Sequence, residues 1–331
     1  MRVGVVGLGT VGQTHLAALK YLHVPWIYGA DPSPTARERA ATFTTHCFAN
    51  YRDLLSSVDL DAMVIATPPR SHRDISLAAL QAGIAVLCEK PLGLTLEDCE
   101  AIADAASNSR RPFMVGFCHR FQPQVQALKE LLDAGSLGAP VLVTLSFTHG
   151  LTEQGREWIV DRTLAGGGVL FDSGSHAVDL FRYLVGEVDD AAGLTVGAEA
   201  GGVEDVCIAC LRSGGVLGTL VLSWKTPPWQ GTIEVVGAAA RARVEYDGDQ
   251  VRLRTRATDA PWKSVRTSRE DRFVAELRHF LACARGEEAP LTCARDGLEA
   301  TRAILQIYGG QTSGTRGRVS VASQTARTRV V

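Results

Sequence analysis

The sequence lacks the features of a membrane protein or a nucleic-acid-binding protein. No apolar run approaches the roughly 20 residues that a helix needs to span a membrane. The 34 basic residues nearly balance the 36 acidic ones, and the net charge of −2 argues against nucleic acid or an anionic membrane as the main partner. No signal-peptide pattern precedes the first apolar segment, residues 3–6, so the cytoplasm is the expected location.

The eight cysteines show neither a disulfide framework nor the spacing of a metal site. The one close pair, Cys207 and Cys210, lies in a strand-like run, where an odd offset puts the two side chains on opposite faces. We therefore expect reduced thiols and no metal centre. With 46% apolar and 21% charged residues, the 331-residue chain has the composition of a globular protein of two domains.

A glycine-rich loop stands between the strand at 3–6 and a predicted helix over 15–22. In that context Gly7 permits a tight turn, Gly9 lets a pyrophosphate approach the backbone, and Gly12 lets the helix pack on the strand. The helix N-terminus then faces the phosphate charge. The loop residues expected to contact a dinucleotide are Gly7, Gly9, Thr10, Val11 and Gly12.

Asp31 supports this interpretation, because it follows the second predicted strand about 20 residues after the glycines. A carboxylate there can accept both ribose hydroxyls of NAD and repels the additional phosphate of NADP. NAD is therefore the expected cofactor. Arg37 and Arg39 lie close enough in sequence to leave NADP open as an alternative.

Strand and helix patterns continue to alternate, which predicts a doubly wound parallel sheet. The strands are expected at 62–66, 84–87 and 113–117, with helices at 72–82 and 96–108. Thr67 and Pro68 end one strand, where a nicotinamide ribose would pass. His72 opens the following helix, and cofactor contact and helix capping are equally good interpretations of it.

The segment Cys88-Glu89-Lys90-Pro91 follows a buried strand, at the sheet edge where ligands bind in open α/β folds. Pro91 disfavours helical geometry at Lys90 and holds that lysine on a stiff turn. Lys90 could then donate to a substrate oxygen. A Lys-Pro turn on the surface is the structural alternative.

A predicted helix carries Asp172, His176 and Asp179 on one face, because they are spaced by four and three residues. An acid one turn before a histidine can raise its pKa and orient its ring, which makes His176 a candidate proton carrier. In alcohol oxidation His176 would remove the hydroxyl proton while Lys90 stabilises the developing alkoxide. Lys90 as the main acid or base is the alternative.

Other polar residues are candidates for substrate contact. Arg120 follows the last strand of the N-terminal half, and Asp179 could bind a sugar hydroxyl. His149 and Trp158 lie in a long polar region, 147–168, typical of substrate loops. Trp158 could equally pack on the core.

The C-terminal half contains successive short strand patterns, which favour antiparallel pairing. Pro227-Pro228-Trp229 is expected in a turn between two of them. The strands are expected at 141–148, 192–199, 203–212, 216–224, 230–237, 242–247 and 250–256, and the closing helices at 268–285 and 293–308. We expect a nucleotide-binding domain over 1–120 and a second domain over 121–331.

Together these motifs resemble the glucose–fructose oxidoreductase / inositol dehydrogenase (Gfo/Idh/MocA) family. Glu89-Lys90-Pro91 combined with Asp172-x-Gly174-x-His176 is a specific signature. Cys118, where asparagine is common, is a departure. The matching segments in chain order are Gly7-Leu8-Gly9-x-x-Gly12, Asp31, Ala66-Thr67-Pro68-Pro69-x-x-His72, Glu89-Lys90-Pro91, Val115-Gly116-Phe117-x-x-Arg120-Phe121 and Asp172-x-Gly174-x-His176-x-x-Asp179.

The resemblance implies an α/β protein: an N-terminal Rossmann domain and a C-terminal α+β domain with a large, mostly antiparallel open sheet. It implies NAD(P)-dependent hydride transfer on sugars or cyclitols, catalysed by Lys90, Asp172 and His176. Glu89 and Lys90 would also contact the cofactor. The sheet would form the contact of a homodimer or homotetramer.

The leading hypothesis is an NAD-dependent dehydrogenase of a sugar or cyclitol hydroxyl. An NADP-linked reductase of a ketosugar or imine is the alternative enzyme, and Asp31 argues against it. A dinucleotide-sensing protein without turnover is the third hypothesis. The intact set of Lys90, Asp172 and His176 argues against such a sensor.

Overall fold

The computed structural model describes residues 1–151, 157–197, 202–247, 250–255 and 261–310. Within them, a first sheet of six parallel strands has the order β3-β2-β1-β4-β5-β6. This confirms the predicted Rossmann sheet. Its strands are β1 (Arg2–Val6), β2 (Trp26–Ala30), β3 (His46–Phe48), β4 (Ala62–Ile65), β5 (Ala85–Glu89) and β6 (Phe113–Gly116).

Side-chain caps start several of the helices between these strands. Ser33, Asn50 and Thr95 each accept a hydrogen bond from the backbone N–H three residues on, as N-cap residues do. The first helix begins at Thr10, five residues earlier than predicted, directly after the glycine loop. The helices are α1 (Thr10–Tyr21), α2 (Pro34–Ala40), α3 (Tyr51–Ser57), α4 (His72–Gln81) and α5 (Leu96–Asn108).

A second sheet of eight strands has the order β14-β13-β12-β11-β7-β10-β9-β8. All neighbours are antiparallel except β7 and β10, which confirms the mostly antiparallel sheet. The strands are β7 (Pro140–Gly150), β8 (Asp190–Val196), β9 (Val206–Ser213), β10 (Val216–Ser223), β11 (Lys225–Gly237), β12 (Ala240–Glu245), β13 (Gln250–Thr255) and β14 (Lys263–Arg266).

The predicted turn at Pro227-Pro228-Trp229 is wrong, because these residues lie inside β11. The pairing of β11 with β7 is irregular between Lys225 and Gln230. Proline cannot donate to a ladder hydrogen bond, and an irregularity of this kind accommodates it. The short strand β14 was not predicted.

Helices cover one face of the second sheet, and within the described part of the chain the other face is open. Along β9, Cys207 and Leu211 are buried while Ile208 and Cys210 are exposed, so the expected opposite orientation of the two cysteines is confirmed. All eight cysteines are free. The remaining helices are α6 (Pro123–Asp133), α7 (Arg162–Ala165), α8 (Val169–Val185), α9 (Arg272–Arg285) and α10 (Ala294–Gly309).

Helix α9 packs on the first sheet although it comes late in the chain. Leu277 and Phe280 are fully buried in one apolar cluster with Leu16 and Leu19 of α1. The two halves of the chain therefore share a core. The domain boundary at residue 120 stays a prediction. Among the described helices, none combines the length and the apolar character needed to cross a bilayer.

A buried cluster of His15, Glu89 and Glu276 lies where α1, β5 and α9 meet. The His15 Nε2 atom is 2.8 Å from Glu89 Oε1. Glu276 is fully buried, and neither of its carboxylate oxygens has a hydrogen-bond partner in the part of the chain that the structure describes. Burial, reinforced by the nearby Glu89 charge, raises the pKa of Glu276 well above its ordinary value of 4.5.

We expect Glu276→Gln to remove a loss of stability that the wild type shows as the pH rises above 4.5. Above pH 4.5 the unfolded chain releases the Glu276 proton, while the folded protein retains it up to its raised pKa. The free energy of unfolding therefore falls as pH rises through that window. Glutamine has no proton to lose, so the variant should gain about 1–4 °C in Tm over wild type between pH 5 and pH 8.

Differential scanning fluorimetry at pH 5, 6.5 and 8 measures this effect. Glu38→Gln, a change at an exposed position on α2, is the matched control and should track wild type. A pH-independent difference between Glu276→Gln and wild type would contradict the buried-acid explanation.

Candidate active site

The glycine loop closes tightly on itself and leaves open space at one residue. Gly7 has φ +88°, and a Cβ on Gly12 would lie 2.0 Å from the Gly7 carbonyl oxygen. A Cβ on Gly9, by contrast, would meet nothing within 4 Å. The backbone in front of α1 is therefore open, as a pyrophosphate at a helix N-terminus requires.

A cleft of about 590 Å³ runs from this loop along the carboxyl ends of the parallel strands. It lies where the strand order reverses at β1, the place where open α/β sheets bind ligands. The loop and the cleft together fit a dinucleotide cofactor. Its lining includes Gly7, Gly9, Asp31, Arg39, Asn50, Tyr51, Thr67, Pro68 and Trp158.

Asp31 lies in the cleft and also secures the glycine loop. Its Oδ2 atom accepts from the Leu8 N–H at 2.8 Å, and its Oδ1 atom accepts from the Ser33 N–H at 2.8 Å. The Arg37 guanidinium donates to the carbonyl oxygens of Asp31 and Pro32. That leaves a carboxylate facing the position expected for the ribose, with Arg39 exposed on the cleft wall.

Lys90 and Asp172 form an ion pair between the two halves of the chain. The Lys90 Nζ atom lies 2.7 Å from Asp172 Oδ1 and 3.1 Å from the Asp172 carbonyl oxygen. Both side chains are mostly buried, with 14% and 19% exposed. They line a small cavity of about 60 Å³ together with Thr67, Trp158 and Phe171.

A buried carboxylate fixes the start of α8, the helix that carries Asp172 and His176. Glu204 Oε1 accepts from the Gly168 and Leu170 N–H groups at 2.9 and 3.1 Å, and from the Tyr308 hydroxyl at 2.6 Å. A negative charge at a helix N-terminus is stabilised by the free N–H groups there. Glu204 therefore sets the position from which Asp172 reaches Lys90.

His176 is one turn after Asp172 on α8, as predicted, but its protonation differs from the prediction. The expected rise in its pKa is wrong: the pKa of His176 lies well below 6.5 because burial disfavours the charged ring. A charge on the neighbouring His119 would act in the same direction, as do the cations Lys90 and Arg272. His176 is thus a neutral imidazole beside the Lys90–Asp172 pair.

His72 and Glu89 are held by other protein groups. His72 is fully buried, with Nε2 2.8 Å from the Thr67 carbonyl oxygen and Nδ1 2.9 Å from that of Pro91. It joins the turns after β4 and β5. Glu89 lines the small cavity, but its carboxylate accepts from the Lys90 N–H and pairs with His15. These contacts favour structural roles over cofactor contact.

Arg120 and Asp179, expected to contact substrate, form a buried ion network. Arg120 Nε and Nη2 donate to the two Asp179 oxygens at 2.9 and 2.6 Å, and Nη2 also donates to Asp296. Asp179 is fully buried and Arg120 is 6% exposed. Their charges pair with each other, which favours a structural role for both; substrate contact by Arg120 and Asp179 stays a prediction.

Trp158 and His149 occupy different positions around the site. Trp158 lies in a short 3₁₀ helix and lines both the cofactor cleft and the small cavity. His149 belongs to β7 rather than to a loop, and its Nδ1 atom is 3.2 Å from the Gly150 carbonyl oxygen. Within the predicted substrate loop, 147–168, residues 152–156 are outside the described residues.

Two more residues belong to the surroundings of His176: His119, which the sequence places beside Arg120, and Tyr246, which sequence reasoning missed. His119 stacks on the His176 ring, and the Tyr246 hydroxyl lies 3.1 Å from His119 Nδ1. The pair His119 and Tyr246 is separated by 127 positions. No local pattern could have brought them together.

The chain matches known sequence patterns over both halves. The pattern described as "Oxidoreductase family, NAD-binding Rossmann fold" covers residues 1–117, and the "GFO/IDH/MocA C-terminal domain" covers residues 125–243. The chain belongs to the GFO/IDH/MocA oxidoreductase family. This confirms the resemblance inferred from the motifs.

Several members of the family are similar along most of their length. D-apiose dehydrogenase of Paraburkholderia graminis is 29% identical over 328 residues, which covers 92% of this chain and 86% of the relative. Inositol 2-dehydrogenase 4 of Saccharopolyspora erythraea is 29% identical over 336 residues, covering 98% and 97%. In fold, the chain matches levoglucosan dehydrogenase in complex with NADH and levoglucosan, with a TM-score of 0.84, 22% identity and coverage of 94% and 96%.

Substitution of Asp31 should change cofactor preference. In Asp31→Ala the ribose hydroxyls lose a charged acceptor, and we expect NADH affinity to fall about tenfold or more. NADPH affinity should rise because the repulsion of its 2′-phosphate is removed. Asp31→Asn keeps an oxygen that can accept from the loop N–H groups but removes the negative charge. It therefore distinguishes the anchoring of the glycine loop from the repulsion of the 2′-phosphate.

Titration of the purified protein with NADH and NADPH, followed by nicotinamide fluorescence, measures both affinities. Asp74→Asn, at an exposed position on α4, is the control and should bind like wild type. A wild-type preference for NADPH would overturn the assignment of Asp31 and point to Arg37 or Arg39.

Proposed function

We propose that this protein is a cytoplasmic NAD-dependent oxidoreductase that transfers hydride between nicotinamide and a secondary alcohol or ketone of a sugar, cyclitol or sugar derivative. The observation that carries the proposal is the Lys90–Asp172 pair with His176 one turn away, at the end of a cleft that fits a dinucleotide. The names of the relatives, which include apiose and inositol dehydrogenases, support this substrate class.

Lys90 is suited to bind the reacting oxygen. A lysine ammonium has three N–H donors, and two of them point to the Asp172 carboxylate and carbonyl oxygens. The third donor can meet a substrate oxygen and stabilise the charge that develops on it. Asp172 fixes the direction of the ammonium group.

His176 is suited to accept the hydroxyl proton in the direction of oxidation. Its lowered pKa keeps the ring neutral, so a nitrogen can take up a proton at neutral pH. In the direction of reduction the same ring, once protonated, returns the proton. The bound nicotinamide supplies the hydride acceptor or donor.

Lys90→Met tests this assignment, since methionine has similar length but no donor. We expect the variant to lose about 10²- to 10³-fold in kcat/KM, as other active sites do when an oxyanion donor is removed. NADH affinity should change little. The assay follows NAD reduction at neutral to alkaline pH with a panel of cyclitols and sugars.

Lys20→Met, at an exposed position on α1, is the matched control and should keep wild-type activity. Retention of turnover in Lys90→Met would contradict the assigned role. Turnover with NADPH alone would favour the ketosugar or imine reductase. Tight NADH binding by wild type without turnover on any substrate would favour a dinucleotide sensor.

We also propose that the open face of the second sheet forms a homodimer or homotetramer contact. This face carries large apolar side chains, of which Leu194 and Ile208 are 76% and 54% exposed and paired in register. Leu142 and Leu217 are likewise paired and exposed. Exposed apolar side chains clustered on one face in this way are typical of protein interfaces.

Ile208→Lys should reduce the oligomer to smaller species, because the charge would have to be desolvated at the contact. Light scattering coupled to gel filtration measures the mass. Ile208→Val keeps the surface apolar and should retain the wild-type mass, as should Tyr21→Lys, which is exposed on α1 outside this face. A monomeric wild type at micromolar concentration would overturn the proposal.

A further inference from the structure

His119 is buried beside the reaction centre although no motif marks it. It lies in a short 3₁₀ helix, Cys118–Phe121, directly after β6, and only 7% of it is exposed. A buried imidazole must be neutral or well paired, because burying its charge is costly. Its surroundings therefore indicate what it does.

The His119 ring is held on three sides by other rings. It stacks on His176 with ring centroids 4.0 Å apart and planes 14° apart. Phe147 of β7 contacts it edge-on at 5.3 Å. The Tyr246 hydroxyl, at the end of β12, lies 3.1 Å from His119 Nδ1. Residues on or next to two strands of the second sheet thus fix His119, and His119 covers one face of the His176 ring.

We propose that His119 is a positioning residue for His176: its stacked ring fixes the orientation of the His176 imidazole and excludes water from one face of it. The expected effect on catalysis rests on the proposed function, in which His176 is the proton acceptor. The effect on the titration of His176 does not depend on turnover.

The charges around the pair explain why stacking matters. Two stacked imidazoles cannot both be charged at low cost, since like charges repel strongly at this distance. The cations Lys90 and Arg272 oppose protonation of both rings, and burial lowers the pKa of each well below 6.5. Among the described residues, the titratable groups around the stacked pair include Cys118, Lys90 and Arg272, with Tyr246 against His119 and Asp172 one turn before His176.

The same neighbourhood contains donor atoms of Cys118, His119 and His176 within 4.8 Å of one another. Near-parallel rings, however, direct their in-plane lone pairs side by side rather than towards a common point. A metal ion bound to both rings would require one of them to rotate out of the stack. The geometry fits a packed pair, and measurements with and without EDTA control for an ion.

Two variants at position 119 distinguish the effect of a stacked ring from the effect of the imidazole nitrogens. In His119→Ala water reaches His176, so its pKa should rise towards the ordinary value by about 0.5–1 unit. His119→Phe keeps a stacked apolar ring, and the pKa should stay near that of wild type. Tyr246→Phe removes the hydroxyl that holds His119 and should give a smaller shift in the same direction as alanine.

The measurement is the titration of His176 in the intact, ¹³C-histidine-labelled protein by NMR, with His176→Asn to assign its signal. In the proposed oxidation, the acidic limb of kcat should move to higher pH in His119→Ala, because His176 must lose its proton before it can act as the base. The KM for NAD should not change. His23→Asn is the control for loss of a histidine; His23 is exposed with φ +57°, a conformation that asparagine tolerates.

An unchanged His176 titration in His119→Ala, in a protein with wild-type Tm, would overturn the inference. So would a His119→Phe variant that behaves like alanine. If His119→Ala does not fold, the phenylalanine and Tyr246→Phe variants decide the matter. Failure of the proposed function would appear separately, as absence of turnover in wild type with an intact His176 titration.

Discussion

The candidate active site depends on one ion pair, between Lys90 at the end of β5 and Asp172 on α8. The lysine is placed by the parallel sheet and the carboxylate by a helix of the other half, so the pair forms only when both halves are folded and docked. Removing one partner of a buried pair of this kind typically lowers the free energy of unfolding by about 3–5 kcal/mol, because the remaining charge is buried without a partner. Stability and the arrangement of the reacting groups are therefore coupled at this point.

Burial sets the protonation of the groups around that pair. His176 and His119 are neutral because their charged forms would be desolvated, and Glu276 retains a proton for the same reason. Lys90 and Asp172 satisfy each other's charges instead. Neutral imidazole rings beside this charged pair favour the stabilisation of charge that appears on a substrate oxygen, since the rings add no charge of their own.

Sequence reasoning succeeded where function depends on local chain geometry. The glycine loop, Asp31 and Lys90 follow strands that could be recognised from their apolar patterns, and topology brings strand ends to one edge. The spacing of Asp172 and His176 on one helix was equally local. The ion network of Arg120, Asp179 and Asp296 could not be foreseen, because it joins distant segments of the chain. Tyr246 could not be found either, because its partner His119 is distant in the sequence. The prolines of β11 were predicted to form a turn, because the irregular pairing that accommodates them has no sequence signature.

Helix α9 limits how segments of this architecture can be exchanged between relatives. It contributes Leu277 and Phe280 to the core of the nucleotide-binding half and Glu276 to the cluster beside Glu89, although more than 150 positions separate it from β5. The half that holds the cofactor is thus built from two stretches of chain. A chimaera that exchanges everything after β6 for the corresponding part of a relative would replace this helix too, and its new residues would have to match the buried surface of α1. Diversification of substrate preference in such a scaffold is therefore easier within the second sheet than by exchange of whole C-terminal segments.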